Sequence, residues 1–222
     1  MDQKGRLKNV VRIERPAGLK PVRQRQAAVL ALWRWRAPVL AFELDAEWGI
    51  DPAVLESLFQ LAASPSGEQS DRAYRRAIAD LCRAPLFTSE VDPDTVQLFQ
   101  LETISSLLTF GELLDNPATD VTDRVIEGSA DLADYLDDLV ADSFYPHPSE
   151  EAHREYLAGL AGERYFASRN FTAQSAGHRA LRSLPDTAGL LDSSAGRELL
   201  TLCEDFGEEL VTTMQWLRAT GH

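Results

Sequence analysis

The sequence has few of the residues that build catalytic, redox or metal sites. Its 222 residues include two cysteines and four histidines, and no Walker, Gly-x-Ser-x-Gly or Gly-x-Gly-x-x-Gly pattern. No apolar run approaches the roughly 20 residues that span a bilayer, and the first residues lack the apolar stretch of a secretory signal. These absences favour a cytoplasmic protein with reduced, buried cysteines. They favour a non-enzymatic protein and leave no catalytic residue, metal or cofactor to predict.

Signals for β-strands are also scarce. No Asn-Gly or Asp-Gly hairpin turn occurs, and clean alternation of apolar and polar residues is absent after residue 40. A hydrophobic content of 44% with 26% charged residues is ordinary for a globular protein. The sequence therefore predicts an all-α fold, an irregular bundle of seven to nine helices. We expect a basic N-terminal arm at residues 1–20, with room for one short strand at Asn9–Glu14, and a single helical domain at 21–222.

Several helix boundaries follow from local signals. An Asp at the N-cap followed by Pro at the first helical position starts helices at Asp51-Pro52 and Asp92-Pro93. Apolar spacing predicts a first helix from Pro21, broken at Pro38 and resumed over Leu40–Trp48. The remaining helices are predicted to begin at Ser70, Thr119 (ending near Ser143), Ser149, Thr172 and about Ser194.

The charges are divided unevenly along the chain. Residues 1–36 carry ten Lys or Arg against two acids, a net of +8, whereas the rest carries 12 Arg against 33 acids, a net of −21. The total is −13. Such a division makes a basic arm on an acidic body and bears on partners rather than on fold.

The basic arm has three interpretations. It docks on the acidic body of its own or a second copy, it binds nucleic acid, or it is a solvated tail. Cations interleaved with aromatics, as in Trp33-Arg34-Trp35-Arg36, hold phosphates and stack bases. On a helix, however, Trp33 and Trp35 point in nearly opposite directions, so we expect one in the core and the other as surface cover. The arm residues singled out as a binding site are Arg12, Arg15, Lys20, Arg23 and Arg25.

The helix predicted at Thr119–Ser143 is divided around its axis into an apolar side and an acidic side. Like charges at i,i+4 destabilise a helix, and acids near its carboxyl end oppose the macrodipole. These costs leave two interpretations open: a solvated face, or a docking surface for a basic partner. The acidic residues of this face, which form the candidate partner-binding site, are Asp123, Glu127, Asp131, Asp134 and Asp138.

Other carboxylates suggest metal chemistry only in part. Asp137-Asp138-x-x-x-Asp142 resembles a diphosphate–magnesium motif but lacks a second cluster. Glu150-x-x-His153 has the spacing of di-iron ligands, a motif that such a site needs twice. The carboxylates at Glu204, Asp205, Glu208 and Glu209 lack a matching acidic pair downstream. We therefore predict no metal site.

The order of segments resembles one family. Leu40-Ala41-Phe42-Glu43 in an early helix is followed by a long helix at Leu98–Leu114 and an amphipathic, Asp-rich helix at Val121–Leu139. In this respect residues 30–142 are similar to the YjaG-like family of all-helical bacterial proteins. The resemblance implies an all-α bundle and no particular reaction.

The acidic surface and the absent catalytic motifs favour a non-enzymatic protein-interaction module. Within that class we expect an inhibitor or immunity-type protein that neutralises a basic target, because complementary charge speeds and orients association. The alternative is an accessory protein that binds nucleic acid through the basic arm, and a third hypothesis is a helical metal-dependent hydrolase. We expect self-association or a basic protein partner, and no membrane.

Overall fold

A computed structural model of the chain describes residues 13–16, 18–115, 119–143, 164–185 and 189–219. Within these residues the protein is all-α and contains no strand, which confirms the predicted fold class. The described part has eight α-helices and two short 3-10 turns, Ala46–Trp48 and Pro85–Phe87. The helices are α1 (Pro21–Trp33), α2 (Arg36–Ala41), α3 (Pro52–Ala63), α4 (Glu68–Leu81), α5 (Thr95–Asp115), α6 (Thr119–Ser143), α7 (Tyr165–Ser183) and α8 (Ser194–Ala219).

Helix α1 is the centre of the bundle. Every residue from Ala27 to Trp35 is buried, and α1 contacts α3, α5, α6, α7 and α8. From Ala27 onward α1 is apolar around its whole circumference, which is typical of a helical segment in an interior rather than on a surface. The other helices therefore surround α1, and both Trp33 and Trp35 are buried, at 3% and 1% exposure. The expectation that one of them covers the surface is wrong.

Two apolar clusters flank the carboxyl end of α1. One joins α1 to α3, α4 and the middle of α5. The other surrounds Trp35, whose ring stacks on that of Phe99 with centroids 5.7 Å apart. The second cluster also includes Leu136 of α6, Phe166 of α7 and Phe206 of α8. These clusters fix α6 and α7 side by side at the surface where charged residues meet.

Some predicted boundaries are confirmed and others are wrong. Asp51 caps α3 by accepting a hydrogen bond from the Ala53 N–H at 2.8 Å. Helix α5 starts at Thr95 rather than at Pro93, because Asp94 and Gln97 exchange a reciprocal pair of N-terminal hydrogen bonds at 2.7 and 3.0 Å. Helices α6 and α8 start at Thr119 and Ser194 as predicted.

Five local predictions are wrong. Pro38 lies in the first turn of α2, where its missing N–H removes no helical bond, and Leu40–Trp48 is not one helix because α2 ends at Ala41. Ser70 lies inside α4, where its hydroxyl donates to the Pro65 and Gly67 carbonyls, so it is not the cap. Cys82 is exposed, although Cys203 is buried and both are free thiols. Finally, α7 starts at Tyr165, ahead of the predicted Thr172.

Other predictions fall partly or wholly outside the described residues. The helix after Ser149 lies outside them. Of the strand at Asn9–Glu14, only Ile13 and Glu14 are described, and neither is in a strand. Among the described helices, none has the length and apolar character that a bilayer crossing requires.

Candidate functional site: the surface between α6 and α7

The acidic face of α6 holds arginines at both of its ends. Near its amino end, Arg15 lies 3.9 Å from Asp123 and 3.8 Å from Glu127. Near its carboxyl end, Arg164 forms an ion pair with Asp134 and lies 3.6 Å from Asp138. The two arginines come from segments far apart in the chain. The predicted acidic residues therefore lie on one face, and that face receives guanidinium groups.

Asp131 lies between these two pairs. It is exposed, and no described residue forms an ion pair with it. Partial burial of its carboxyl group raises the pKa of Asp131. The middle of the face thus keeps a negative charge that no described cation compensates.

The segment at residues 13–16 reaches this surface through its backbone. The N–H of Glu14 donates to Oε1 of Gln174 at 3.2 Å, and Nε2 of Gln174 donates to the Glu14 carbonyl at 2.9 Å. Gln174 is only 3% exposed. The arm predicted at residues 1–20 therefore has at least one part, residues 13–16, in contact with the helical body.

The carboxylate of Glu14 faces His178 and Arg182 on α7. Its Oε1 atom lies 3.8 Å from Nδ1 of His178 and 3.6 Å from Nη2 of Arg182. A hydrogen bond from Ser175 lowers the pKa of Glu14, and His178 and Arg182 lower it further, against the opposing effect of burial. Residues 13–16 thus lie between the acids Asp123 and Glu127 on α6 and the guanidinium group of Arg182 on α7.

His178 belongs to a stripe of polar residues that α7 buries. Asn170, Gln174 and His178 recur at every fourth position, and each is at most 3% exposed. Ser129 of α6 accepts a hydrogen bond from Trp35 Nε1 at 2.9 Å and donates to Asn170 Oδ1 at 3.3 Å. This stripe is not among the residues predicted from the sequence. Its signal was present, since polar residues spaced by four sit where an amphipathic helix normally buries apolar ones.

The imidazole of His178 is buried without a hydrogen bond to any described residue. Both of its ring nitrogens lack a partner there. Burial lowers the pKa of His178, the Glu14 carboxylate raises it, and Arg34 and Arg182 lower it. At neutral pH the ring is therefore neutral, because the burial penalty and the two guanidinium groups disfavour its charged form.

Arg34 and Cys203 lie deeper, where α1 meets α8. Arg34 is 1% exposed, no described residue forms an ion pair with it, and its Nε lacks a hydrogen-bond partner. Burial lowers the pKa of Arg34 and raises the pKa of the Cys203 thiol to about 11, which keeps the thiol protonated. Cys203 also lines a pocket of about 310 Å³ between α7 and α8. A protonated, buried thiol is a poor nucleophile, so Cys203 does not supply a reactive group to this pocket.

The remaining arm residues have different environments. Arg12 lies outside the described residues, and Lys20 is exposed ahead of α1. Arg23 is buried and donates to the carbonyls of Leu184 and Pro185. Arg25 forms an ion pair with Asp71 at 2.7 Å and lies over the ring of Phe110. Arg23 and Arg25 therefore face the protein interior instead of an exposed basic surface.

The carboxylates considered for metal binding are dispersed. Within the described ranges, no group of three His, Cys, Asp or Glu side chains is arranged to hold a metal ion. Asp137 caps α7, Glu204 accepts from Trp33 Nε1 at 3.1 Å, and Glu209 pairs with Arg169. Glu150 and His153 lie outside the described residues.

Comparison with known proteins identifies no relative of this chain, since no family model, no curated protein and no solved structure matches it.

Proposed function

We propose that this protein is a non-enzymatic interaction module that binds a basic protein partner through the acidic face of α6. The observation that carries the proposal is the placement of Arg15 and Arg164 on that face. Two separate segments of the chain present guanidinium groups to the same row of carboxylates. A basic partner would form the same kind of ion pair with Asp131, whose charge no described cation compensates.

The class of partner follows from the charge of the face. Complementary charge mainly increases the association rate and suppresses wrong partners, which suits an inhibitor or immunity-type protein directed at a basic target. The resemblance to the YjaG-like family remains a prediction and adds no reaction. The placement of Arg23 and Arg25 in the interior does not favour the alternative, a nucleic-acid surface built from the arm.

The test compares one charge change at two exposed sites of the full-length protein. Asp131→Lys removes the central charge of the face, whereas Glu43→Lys makes the same net change on the exposed residue that follows α2. A fluorescent oligoarginine peptide is the probe, and its association rate is measured by stopped flow at several salt concentrations. We expect Asp131→Lys to slow association about tenfold and to flatten its salt dependence.

The control separates a local site from net charge. Under the proposal, Glu43→Lys changes the rate by less than about twofold, because it lies outside the face. Equal slowing by both substitutions would show that only the overall charge of −13 attracts the probe, and the proposal would then be wrong.

A further inference from the structure

Residues 13–16 lie between α6 and α7, and the surface that holds them is called the groove below. Its chemistry is more specific than that of the acidic face alone. We propose that it recognises an extended segment of another protein in which a glutamate is followed by an arginine, and that residues 13–16 of this chain occupy it as an internal substitute. This inference rests on the proposed function, and it adds the conformation and the sequence of the partner.

The first requirement of the groove is an extended backbone. Gln174 pairs with the N–H and the carbonyl of the same residue, Glu14, at 3.2 and 2.9 Å. A neighbouring β-strand makes the same two contacts with an extended peptide. With residues 13–16 in place Gln174 is 3% exposed, and its amide group is paired with peptide backbone at both its oxygen and its nitrogen. Gln174 therefore recognises the backbone of the segment that lies on it.

The second requirement is a carboxylate toward α7. His178 and Arg182 approach the Glu14 carboxylate within 3.8 and 3.6 Å, and Ser175 donates a hydrogen bond to it. His178 is 2% exposed, and no described residue supplies a hydrogen bond to its nitrogens. Of the charged groups around this buried ring, Arg34 and Arg182 are cations and Glu14 supplies the carboxylate, so a carboxylate is the group that the α7 side selects.

The third requirement is a cation toward α6. Successive side chains of an extended segment point to opposite sides, so the residue after the glutamate faces Asp123 and Glu127, as Arg15 does. A peptide with the two residues exchanged would place like charges together on both walls. The groove therefore distinguishes Glu-Arg from Arg-Glu.

On the α6 side, the contacts of the internal segment are weak. The side chain of Arg15 is 66% exposed, and its distances to Asp123 and Glu127, 3.9 and 3.8 Å, exceed those of hydrogen bonds. Exposed pairs of this kind contribute little to stability. A partner segment with closer arginine contacts can displace it.

The experiment uses the full-length chain with Glu14→Lys and Arg15→Glu together, which places like charges against both walls and drives the internal segment out. The probe is a fluorescent synthetic peptide with the sequence of residues 9–20, and the control peptide has residues 14 and 15 exchanged. We expect the first peptide to bind the double variant by fluorescence anisotropy, and the exchanged peptide to bind about tenfold more weakly. Binding to the unsubstituted chain should be weaker than to the double variant, because the internal segment competes.

Two further variants test the groove itself. Added to the double variant, Gln174→Ala should abolish peptide binding, whereas Gln215→Ala, at an exposed site on α8, should leave it intact. Should the double variant fail to fold, the preference for the Glu-Arg peptide must still appear with the unsubstituted chain at higher peptide concentration.

The outcomes separate this inference from the proposed function. Equal binding of both peptides, or binding that survives Gln174→Ala, overturns the inference. This holds even if oligoarginine still associates more slowly with the Asp131→Lys variant. If the peptide binds as expected but Asp131→Lys leaves the association rate of oligoarginine unchanged, the proposed function of the acidic face is wrong and the inference about the groove stands. A concentration-dependent dimer of the unsubstituted chain that the peptide dissociates would assign the groove to a second copy, and so overturn the choice of another protein as partner.

Discussion

Asp137 of α6 caps the amino terminus of α7 at Phe166. Its two carboxylate oxygens accept hydrogen bonds from the N–H groups of Phe166 and Ala167 at 2.9 and 2.8 Å. The residue at the N-cap position itself, Arg164, supplies no side-chain cap and has a positive φ of 61°. A carboxylate from a neighbouring helix therefore satisfies the first free N–H groups of α7 and fixes that helix against α6.

The first prediction concerns this cap. Asp137→Ala should lower the free energy of unfolding by about 1–2 kcal/mol, the usual loss on removing a capping side chain, as measured by urea denaturation. Asp137→Asn retains one acceptor oxygen and should cost less. Asp138→Asn, whose side chain is 64% exposed, is the control and should have little effect. An unaffected Asp137→Ala variant would mean that water caps α7 equally well.

The second prediction concerns Asp131. Its folded-state pKa is raised above 3.8 by burial, so its ionised form destabilises the fold at neutral pH, and this cost is lost as pH falls through the folded pKa. Asp131 also lies four residues after the like-charged Glu127 on α6, so Asp131→Asn should leave stability unchanged or raise it by about 0.2–0.5 kcal/mol at pH 7. The difference should disappear below pH 3.8. A clear loss of stability at pH 7 would show that the charge makes a favourable contact.

The third prediction concerns His178, whose pKa is lowered from 6.5 in the folded state. As pH falls below 6.5 the unfolded chain binds a proton that the folded chain does not, so stability falls until the folded pKa is reached. His178→Gln should reduce this fall, measured by urea denaturation between pH 7 and pH 5. The other three histidines are present in both proteins and cancel in the comparison, and the pKa of Glu14, lowered from 4.5, lies below this pH range. Identical pH profiles would refute the burial of a neutral ring.

The fourth prediction compares two buried helical glycines. A Cβ at Gly111 would meet Tyr74 and Ile78 at 3.7 Å, an ordinary contact, whereas one at Gly196 would lie 2.5 Å from the Leu190 carbonyl oxygen. Gly111→Ala should therefore stabilise the protein by about 0.5–1 kcal/mol. Gly196→Ala should destabilise it by about 1–3 kcal/mol, because backbone would have to move. Thermal melts of the two variants should shift in opposite directions, and shifts of the same sign would contradict this packing.

Local signals in the sequence predicted much of the fold. The start of α3 at Asp51-Pro52 and both ends of α6 are correct, because capping groups and apolar spacing act within a few residues. The predicted start of α5 at Pro93 lies two residues before the observed start at Thr95. The reason is that the side chains of Asp94 and Gln97 each accept a hydrogen bond from the backbone N–H of the other residue. The acidic face of α6 was also visible, because residues at three- and four-residue spacing share a helix face.

Contacts between distant residues could not be predicted in this way. Nothing near Glu14 indicates that Gln174, 160 positions later, will hold its backbone. Nor does the sequence around Asp137 show that it caps another helix.

The sequence by itself thus determined the helices, the charge of the α6 face and the small number of reactive groups, since these depend on residue type and short-range spacing. Only the tertiary structure decided which charges are exposed. Arg23, Arg25 and Arg34 look alike in the sequence, yet they respectively donate to carbonyls, pair with Asp71 and lie buried without an ion pair among the described residues. The packing of helices around α1 makes that distinction, because burial and charge pairing are set by neighbours that lie far away along the chain.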